Sequence, residues 1–241
     1  VYKRQFLVFS DYSRPAIRLS AIQNLQVIYE FTHDSFYVGE DGPTHQPVEH
    51  IMSLRLIPNL NVYRPADAKE TAVSMECILR DTSTPSVILL SRQGLPILDC
   101  DISQIKEGVR KGGYIVEDCK GEPEVIIIAT GSEVSLGIEV SSRLIDLNCR
   151  VVSVPCWEKY LLIPEDIRNN IIPSDKGIRI SIEAGATLGW ERLTGENGLN
   201  IGIDHFGASA PHKDLAEEYG FVPEKIESRI RDHMRHQINI K

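Results

Sequence analysis

The chain has 241 residues, which is long enough for one large or two modest domains that each bury a core. Hydrophobic residues make up 42% and charged residues 25%, as in folded domains rather than disordered chains. The net charge of −8 argues against a nucleic-acid or anionic-membrane surface, because either would require a clustered basic face. No apolar run approaches the roughly 20 residues of a membrane span. We therefore expect small solutes as ligands, and neither nucleic acid nor membrane as a partner.

The cysteines and histidines suggest no disulfide framework and no metal centre. The five cysteines are odd in number and form no C-x-x-C pair, which favours a reducing cytoplasm. The pair His45-x4-His50 lacks the H-E-x-x-H pattern and has Pro47 between its members. We therefore expect no metal ligand in this chain.

The amino terminus indicates an incomplete chain. There is no initiator methionine, and VYKRQ leads directly into the apolar FLVF. VYKRQ matches one reading frame of a transposon adapter used in preparing sequencing libraries, so we expect residues 1–5 to be a non-native leader. Genomic sequence that encodes these residues in place would contradict this expectation.

Short β-rich apolar runs alternate with stretches of helical period, which is the pattern of α/β domains built on mostly parallel sheets. The first predicted helix, SRPAIRLSAIQNL, has Ser13 as N-cap and Pro15 in its first turn. Its expected apolar face contains Ile17, Ala21, Ile22 and Leu25. The second, DAKETAVSMECILRD, begins with Asp67 and Glu70 in a capping-box arrangement. The predicted strands lie in QVIYEF, LNVYR, PSVILLS, EVIIIAT, CRVVSV, KGIRISIE and NIGIDH.

The alternation of strands and helices breaks once, and we place the domain boundary there. DCDISQIKEGVRKGGY is polar, has two adjacent glycines and contains no strong strand. The chain is thus divided into residues 6–98, a linker at 99–111 and a second domain at 112–241. ATGSEV follows a strand but lacks both G-x-G-x-x-G and G-K-[ST], so we interpret it as a strand-to-helix turn rather than a phosphate loop.

A polar stretch, THDSFYVGEDGPTHQP, carries the candidate site. His33 directly follows one predicted strand, and Ser91 and Arg92 directly follow another. Ligands bind outside the carboxyl ends of the strands in open α/β sheets, so the spacing predicts a pocket there, with Asp41 and His45 on the connecting loop. Arg92 and His33 suit an anionic ligand.

Structural explanations remain open for each of these residues. Arg92 at a strand end is as often a surface ion pair, and a single histidine after a strand is more often a satisfied hydrogen-bonding residue than a catalyst. The spacing of Phe6, Phe9 and Tyr12 by three is more typical of core packing than of a ligand wall.

Several motifs taken together resemble one family. THDS, GEDGPTHQP, YRPAD and LSRQ, followed by EAG, HFGASAP and EEYGF, are similar to transketolase, and the similarity runs from Phe6 to about Ile230. The resemblance implies two domains with mostly parallel sheets flanked by helices. The first would be the latter part of the thiamine-diphosphate-binding pyrimidine domain, and the second a transketolase C-terminal domain. The family's reaction transfers a two-carbon ketol unit from a ketose phosphate to an aldose phosphate, through a carbanion that the thiazolium stabilises.

The resemblance also implies roles for individual residues. Phe9 would stack on the aminopyrimidine of the cofactor, and Phe6 and Tyr12 would line the same pocket. His33 and Arg92 would grip the sugar phosphate. Asp41 would bind a substrate hydroxyl, and His45 would lie close to the reacting oxygen, where it binds substrate and takes the catalytic role.

Two departures from the family pattern qualify this identification. The glutamate that activates the cofactor, and the ligands for Mg²⁺ or Ca²⁺, would lie upstream of Phe6, so we expect this chain to catalyse nothing by itself. Phe36 and Tyr37 replace a smaller pair that ends in glycine, so the resemblance leaves open whether their bulk narrows or redirects the substrate channel and which sugar phosphates are preferred.

The resemblance implies a cytoplasmic homodimer with an active site at the subunit interface for the complete protein. The alternatives are 1-deoxyxylulose-phosphate synthase, which THDS and LSRQ disfavour, a formaldehyde-using relative, and a natural stand-alone subunit or non-catalytic interaction module.

Overall fold

The structure, a computed structural model, describes residues 2–240, with side chains described from residue 5 to residue 237. Val1, part of the expected leader, lies outside the described residues. Two sheets, each covered by helices, lie side by side in this part of the chain. No described helix is both long and apolar enough to cross a bilayer.

The first sheet contains four parallel strands among the described residues, in the order β1-β2-β4-β3. A 3₁₀ segment, Leu7–Ser13, leads from the first strand into α1, and another, Phe36–Asp41, follows the second strand. The strands are β1 (Tyr2–Phe6), β2 (Ile28–Thr32), β3 (Asn61–Tyr63) and β4 (Ser86–Leu90). The helices are α1 (Arg14–Ile22), α2 (His50–Arg55) and α3 (Ala68–Arg80).

The second sheet has the order β5-β7-β6-β8-β9 in the described range, with β5 antiparallel to β7 and the other neighbours parallel. Its strands are β5 (Tyr114–Glu117), β6 (Val125–Ala129), β7 (Cys149–Ser153), β8 (Ile178–Ile182) and β9 (Leu199–Ile201). The helices from residue 102 onward are α4 (Ile102–Lys111), α5 (Glu133–Arg143), α6 (Trp157–Leu162), α7 (Glu165–Ile171), α8 (Glu191–Thr194), α9 (His212–Glu218) and α10 (Pro223–Ile240).

All seven predicted strands are confirmed, and two further strands were not predicted. One of them, β5, lies on an edge of its sheet and directly follows the polar linker. The other, β1, includes most of the expected leader and pairs in register with β2 from Tyr2 to Phe6. Backbone pairing does not bear on whether residues 1–5 are native, so the leader stays a prediction. The expected linker contains α4, which packs against α3.

The predicted helices are confirmed, but the apolar face of α1 was partly wrong. Ile17 and Ala21 are buried, whereas Ile22 is 58% and Leu25 47% exposed. Ile22 lies five positions after Ile17, which turns its side chain about 140° away around a helix with 3.6 residues per turn. Leu25 lies beyond the end of the helix at Ile22.

The start of α3 follows the predicted capping arrangement closely. The side chain of Asp67 accepts a hydrogen bond from the backbone N–H of Glu70 at 2.7 Å. Glu70 returns the bond to the N–H of Ala66, one residue before the N-cap, also at 2.7 Å. Both carboxylates are buried, so these bonds fix the entry of the helix.

The two domains share a continuous core and join through the residues just after β3. Tyr63 forms a bridge with Cys156, and the N–H of Arg64 donates to the carbonyl of Pro155 at 2.8 Å. The carbonyl of Arg64 accepts from the N–H of Gly131 at 3.0 Å. Buried apolar residues from both sheets belong to one cluster, so the domains pack as one unit.

Candidate functional site

The site forms where β2 and β4 end. These strands are parallel neighbours with Thr32 in register with Leu90, so His33 and Arg92 emerge at the same edge of the sheet. The expected juxtaposition is therefore present. Parallel strands place their carboxyl ends on one side of the sheet, which is where α/β folds bind ligands.

Five ring-bearing residues form what we call the aromatic rim, and the sequence had singled out all of them: Phe6, Phe9, Tyr12, His33 and His45. The rings of Phe6 and His33 stack with centroids 3.7 Å apart and planes 16° apart. Phe9 lies 6.4 Å from Phe6 and 6.1 Å from Tyr12, in roughly parallel orientation. The ring of His45 meets Phe9 edge-on at 5.4 Å. Tyr12 is 81% exposed and Phe9 is half-buried, so the rim is a wall open to solvent rather than part of the core.

His33 has an unusual backbone and a perturbed ring. Its φ of +57° lies in the left-handed region, which is uncommon for a residue with a Cβ atom. Its Nδ1 lies 3.0 Å from the hydroxyl oxygen of Thr32. Burial, and then the positive charge of Arg92, lower the pKa of His33 below its ordinary value, while Asp41 and Asp34 oppose them. The charges of Arg92 and Asp41 thus lie close enough to affect the ring.

His45 lies at the other end of the polar loop. Its Nδ1 is 2.9 Å from the hydroxyl oxygen of Thr44, which leaves Nε2 as the ring nitrogen not engaged in that contact. Asp41 and Arg92 are both exposed at the surface of the loop region. The two imidazoles of the aromatic rim thus have a carboxylate and a guanidinium in the same region, a set suited to binding an anionic polar solute and moving a proton.

The C-terminal domain supports this loop directly. The side-chain amide of Gln46 donates to the carbonyl of Gly39 at 2.8 Å and to the carbonyl of Ala208 at 2.9 Å. The hydroxyl of Ser209 donates to the carbonyl of Glu40. The loop that carries Asp41 and His45 therefore rests on residues 208–209.

Phe36 is buried at the contact with the C-terminal domain, so an effect of its bulk on a substrate channel stays a prediction. Phe36 is only 2% exposed and packs edge-on against Tyr219 and Phe221, with centroids 5.4 and 5.3 Å away. Tyr37 stacks on Phe36 at 4.2 Å and meets His212 edge-on. The rings of this pair therefore pack at the contact with the C-terminal domain.

A set of buried charges, which we call the charged junction, links the domains beneath the loop: Asp34, Arg55, Arg64, Glu133 and Glu183. The Nε of Arg64 donates to Asp34 at 2.8 Å, and its Nη1 donates to the carboxylate of Glu133. Arg55 donates through both Nη atoms to the two carboxylate oxygens of Glu183, each at 2.7 Å. All five side chains are 4% exposed or less.

The charges in the junction shift one another's pKa values. Burial alone would lower the pKa of Arg64, but Asp34, Glu133 and Glu183 together raise it above its ordinary value. Burial raises the pKa of Glu133, with Arg64 opposing. Burial alone would raise the pKa of Glu183 as well, yet Arg55 and Arg64 bring it below its ordinary value.

Sequence reasoning missed the junction, although part of the signal was present. Arg64 follows β3 directly, and Glu133 begins the helix after β6, at the ends of parallel strands. The same rule that selected His33 and Arg92 applies to both. The rule does not say that two sheets bring these ends together, so the pairing of YRPAD with ATGSEV required the structure.

A second cluster has the chemistry of a cation site but an opposing charge. Ligand atoms of Asp11, Glu49 and His50 lie within 4.8 Å of one another, with His50 Nε2 at 3.3 Å from Asp11 and Nδ1 at 3.7 Å from Glu49. The guanidinium of Arg14 lies 3.9 Å from Asp11 and disfavours a cation there. His45 does not take part in this cluster.

Comparisons with known proteins agree with this architecture. Residues 1–97 match the family model described as transketolase, pyrimidine binding domain, and residues 112–222 match the transketolase-like TK C-terminal domain. The fold is that of a transketolase-type pyrimidine-binding domain followed by a transketolase-type C-terminal domain. The chain belongs to the transketolase family.

Relatives of known identity are about three times longer than this chain. It is 46% identical to transketolase from Geobacillus stearothermophilus over 96% of its own length and 35% of that protein. It is 47% identical to transketolase from Mycobacterium bovis over 93% of its length and 33% of that protein. The chain thus spans about a third of the relatives it matches.

Solved structures show the same fold. Transketolase from Leishmania mexicana superposes with a TM-score of 0.90 and 39% identity over 98% of this chain and 34% of that one. A transketolase from Pichia stipitis in complex with sedoheptulose-7-phosphate superposes with a TM-score of 0.91 and 33% identity over 99% and 34%. An inactive tetramer of a split-gene transketolase shares the fold alone, at 22% identity and a TM-score of 0.76, over 97% of this chain and 76% of that one.

Proposed function

We propose that the complete protein carrying this chain is a transketolase that moves a two-carbon ketol unit from a ketose phosphate to an aldose phosphate, as in the pentose phosphate pathway. The observation that carries the proposal is the aromatic rim with Arg92 and Asp41 beside it, at the carboxyl ends of β2 and β4. The domain limits we propose are residues 6–98 and 112–241, supported by the ranges that the family models match.

The rim suits the aminopyrimidine ring of thiamine diphosphate. Phe6, Phe9 and Tyr12 present roughly parallel rings, and Phe9 is half-buried, so a flat heterocycle can stack there. When bound, the cofactor supplies the electron sink for breaking a carbon–carbon bond. The divalent cation, Mg²⁺ or Ca²⁺, is proposed to bind its diphosphate through residues upstream of this chain.

The other residues would bind and orient the substrate. Arg92 supplies a fixed charge for the sugar phosphate, and His33, whose lowered pKa favours the neutral ring near pH 7, supplies a hydrogen bond. Asp41 would accept a hydrogen bond from a substrate hydroxyl and so favour one stereoisomer. His45 would hold or move a proton at the reacting oxygen through Nε2, because Nδ1 faces Thr44.

We further propose that the complete protein is a cytoplasmic homodimer with the active site at the subunit interface. The exposed ring of Tyr12 and the exposed side chain of Ile22 fit a surface that other parts of the enzyme cover. All five cysteines are free thiols, which fits a reducing compartment. Sedimentation of the complete protein measures its oligomeric state, and cell fractionation measures its location.

The test is a ketol-transfer assay on the complete protein, expressed after its upstream coding region has been recovered. We expect turnover of a ketose phosphate with an aldose phosphate acceptor only when thiamine diphosphate and a divalent cation are added. The 241-residue chain alone should give none, because the activating glutamate is expected upstream. A complete protein that is folded but transfers no ketol unit would refute the proposal.

A split enzyme is the second candidate. The solved split-gene transketolase is an inactive beta4 tetramer, and this chain covers 76% of that chain. Co-expression with an amino-terminal partner distinguishes the cases, since restored transfer supports a split enzyme and association without activity supports a binding module. Acceptor preference of the complete enzyme, formaldehyde against an aldose phosphate, tests the formaldehyde-using alternative.

A further inference from the structure

We infer that Glu133, in the C-terminal domain, is a positioning residue for phosphate binding, and that it acts on His33 through Arg64 and Asp34. The inference extends the proposed function and rests on it. It assigns the C-terminal domain a part in substrate binding, although no residue of that domain lines the aromatic rim among the described contacts.

The position of His33 depends on the residue that follows it. A residue in the left-handed region keeps that conformation only when its surroundings fix it, and His33 has a φ of +57°. The next residue, Asp34, is 1% exposed and is bound by the Nε of Arg64 at 2.8 Å. Since the intervening peptide is planar, fixing Asp34 restricts where the imidazole of His33 can lie.

The position of Arg64 is fixed by contacts with the C-terminal domain. Its Nη1 donates to the carbonyl of Thr130 at 2.7 Å and to Glu133, both in the C-terminal domain. Its backbone is bonded to Pro155 and Gly131 of the same domain. Both ends of the arginine are therefore set by the C-terminal domain, and the guanidinium passes that placement to Asp34.

The carboxylate of Glu133 is held by several hydrogen bonds. Its Oε2 accepts from Arg64 and from the backbone N–H of Ala184 at 3.0 Å, and its Oε1 accepts from the hydroxyl of Ser132 at 2.7 Å. These bonds leave one orientation for the carboxylate. Charge-assisted bonds of this kind are directional, so removing the charge loosens the guanidinium rather than merely weakening a contact.

A merely structural role would lower activity toward every substrate alike. A positioning role acts on the phosphate, because His33 is proposed to contact that group and lies away from the reacting carbon. The discriminating quantity is therefore the ratio of kcat/KM for a ketose phosphate to kcat/KM for the same ketose without phosphate.

The experiment compares Glu133→Gln with the complete wild-type protein. Glutamine keeps the shape and an acceptor oxygen but removes the charge. The matched control is Glu139→Gln, an exposed residue on the same helix. We expect KM for the ketose phosphate to rise about tenfold in Glu133→Gln, kcat to change less than about twofold, and the unphosphorylated ketose to be used as before.

Each other outcome has a defined meaning. An equal loss with both substrates, or no change with either, overturns the inference while the proposed function stands. A wild-type protein without ketol transfer overturns the proposed function and the inference with it. If Glu133→Gln does not fold, Thr130→Val is measured instead, because it removes a hydroxyl that contacts both Arg64 and Glu183. A selective rise of about threefold in KM for the phosphorylated substrate then supports the inference, and its absence refutes it.

Discussion

The aromatic rim and the charged junction lie next to each other in the chain but differ in every physical respect. His33 and Asp34 are consecutive, yet the ring of His33 faces a solvent-open wall and the carboxylate of Asp34 is buried against Arg64. The rim carries groups that can meet a ligand, and the junction carries buried charges that are ion-paired with one another. This difference fits the proposal that the rim supplies the chemistry and that the junction positions it.

Breaking the junction should have the largest effect. We expect Arg64→Met to lower the free energy of unfolding by about 3–5 kcal/mol, because it leaves Asp34 and Glu133 buried without their partner. Urea unfolding of the 241-residue chain measures this. Arg80→Met, which removes an arginine whose side chain is 73% exposed, is the control and should change little. Equal effects of the two substitutions would show that the junction does not hold the domains together.

Changing the rim should affect binding and leave stability nearly unchanged. In the complete protein, Arg92→Ala is expected to raise KM for a ketose phosphate by roughly 10- to 100-fold, since it removes a charge-assisted contact to the phosphate. The urea midpoint of the chain should stay close to wild type because Arg92 is exposed. Arg110→Ala, at an exposed site on α4, should leave KM unchanged. A KM unaffected by Arg92→Ala would remove this residue from the substrate site.

Substitution of Phe36 tests whether this side chain serves the packing of the two domains or the selection of the substrate. Phe36→Leu should destabilise the chain by about 1–3 kcal/mol, because it empties part of the contact with Tyr219 and Phe221. Phe206→Leu, at a side chain that is 78% exposed, is the matched control. Preference among ketose phosphates should not change in Phe36→Leu. A changed preference with unchanged stability would instead support the interpretation that this side chain narrows the channel.

The smallest effect is the titration of His33. Its pKa is lowered in the folded chain, chiefly by burial, so the unfolded chain binds more protons between the folded pKa and the ordinary value near 6.5. The contribution of His33 to stability is therefore complete above the ordinary pKa and is lost as pH falls through the folded pKa. NMR titration of the imidazole should show Arg92→Gln raising the pKa and Asp41→Asn lowering it. Shifts of the opposite sign would place these charges away from the ring.

Much of the fold followed from local pattern, and the exceptions have physical causes. The seven predicted strands are apolar runs bounded by turn residues, and burial on both faces makes several of them, such as β4 and β6, nearly continuous apolar runs that the sequence shows directly. The β5 strand has only four residues, directly follows a polar stretch and pairs antiparallel at an edge with an irregular register, so its short apolar run gave a weak signal. Ile22 was wrongly placed on the apolar face, because a residue five positions after Ile17 points away from the buried side of the helix.

Part of the candidate site could be predicted from the sequence for a similar reason. His33, Arg92, Asp41 and His45 could be selected because polar residues at the ends of parallel strands mark ligand sites. The sequence did not predict a role for Glu133, because its carboxylate is paired with Arg64, which lies 69 positions away in the sequence. Long-range pairing of buried charges leaves no local pattern, and only the packing of the two sheets reveals it.

The most direct test of the account is a double-mutant cycle between Glu133→Gln and His33→Ala, with KM for a ketose phosphate measured in the complete protein. If the junction acts on the phosphate through His33, Glu133→Gln should raise KM about tenfold in the wild type and have almost no effect once His33 has been replaced. If Glu133→Gln raises KM by the same factor in both backgrounds, the two residues act independently, and the junction does not position the rim.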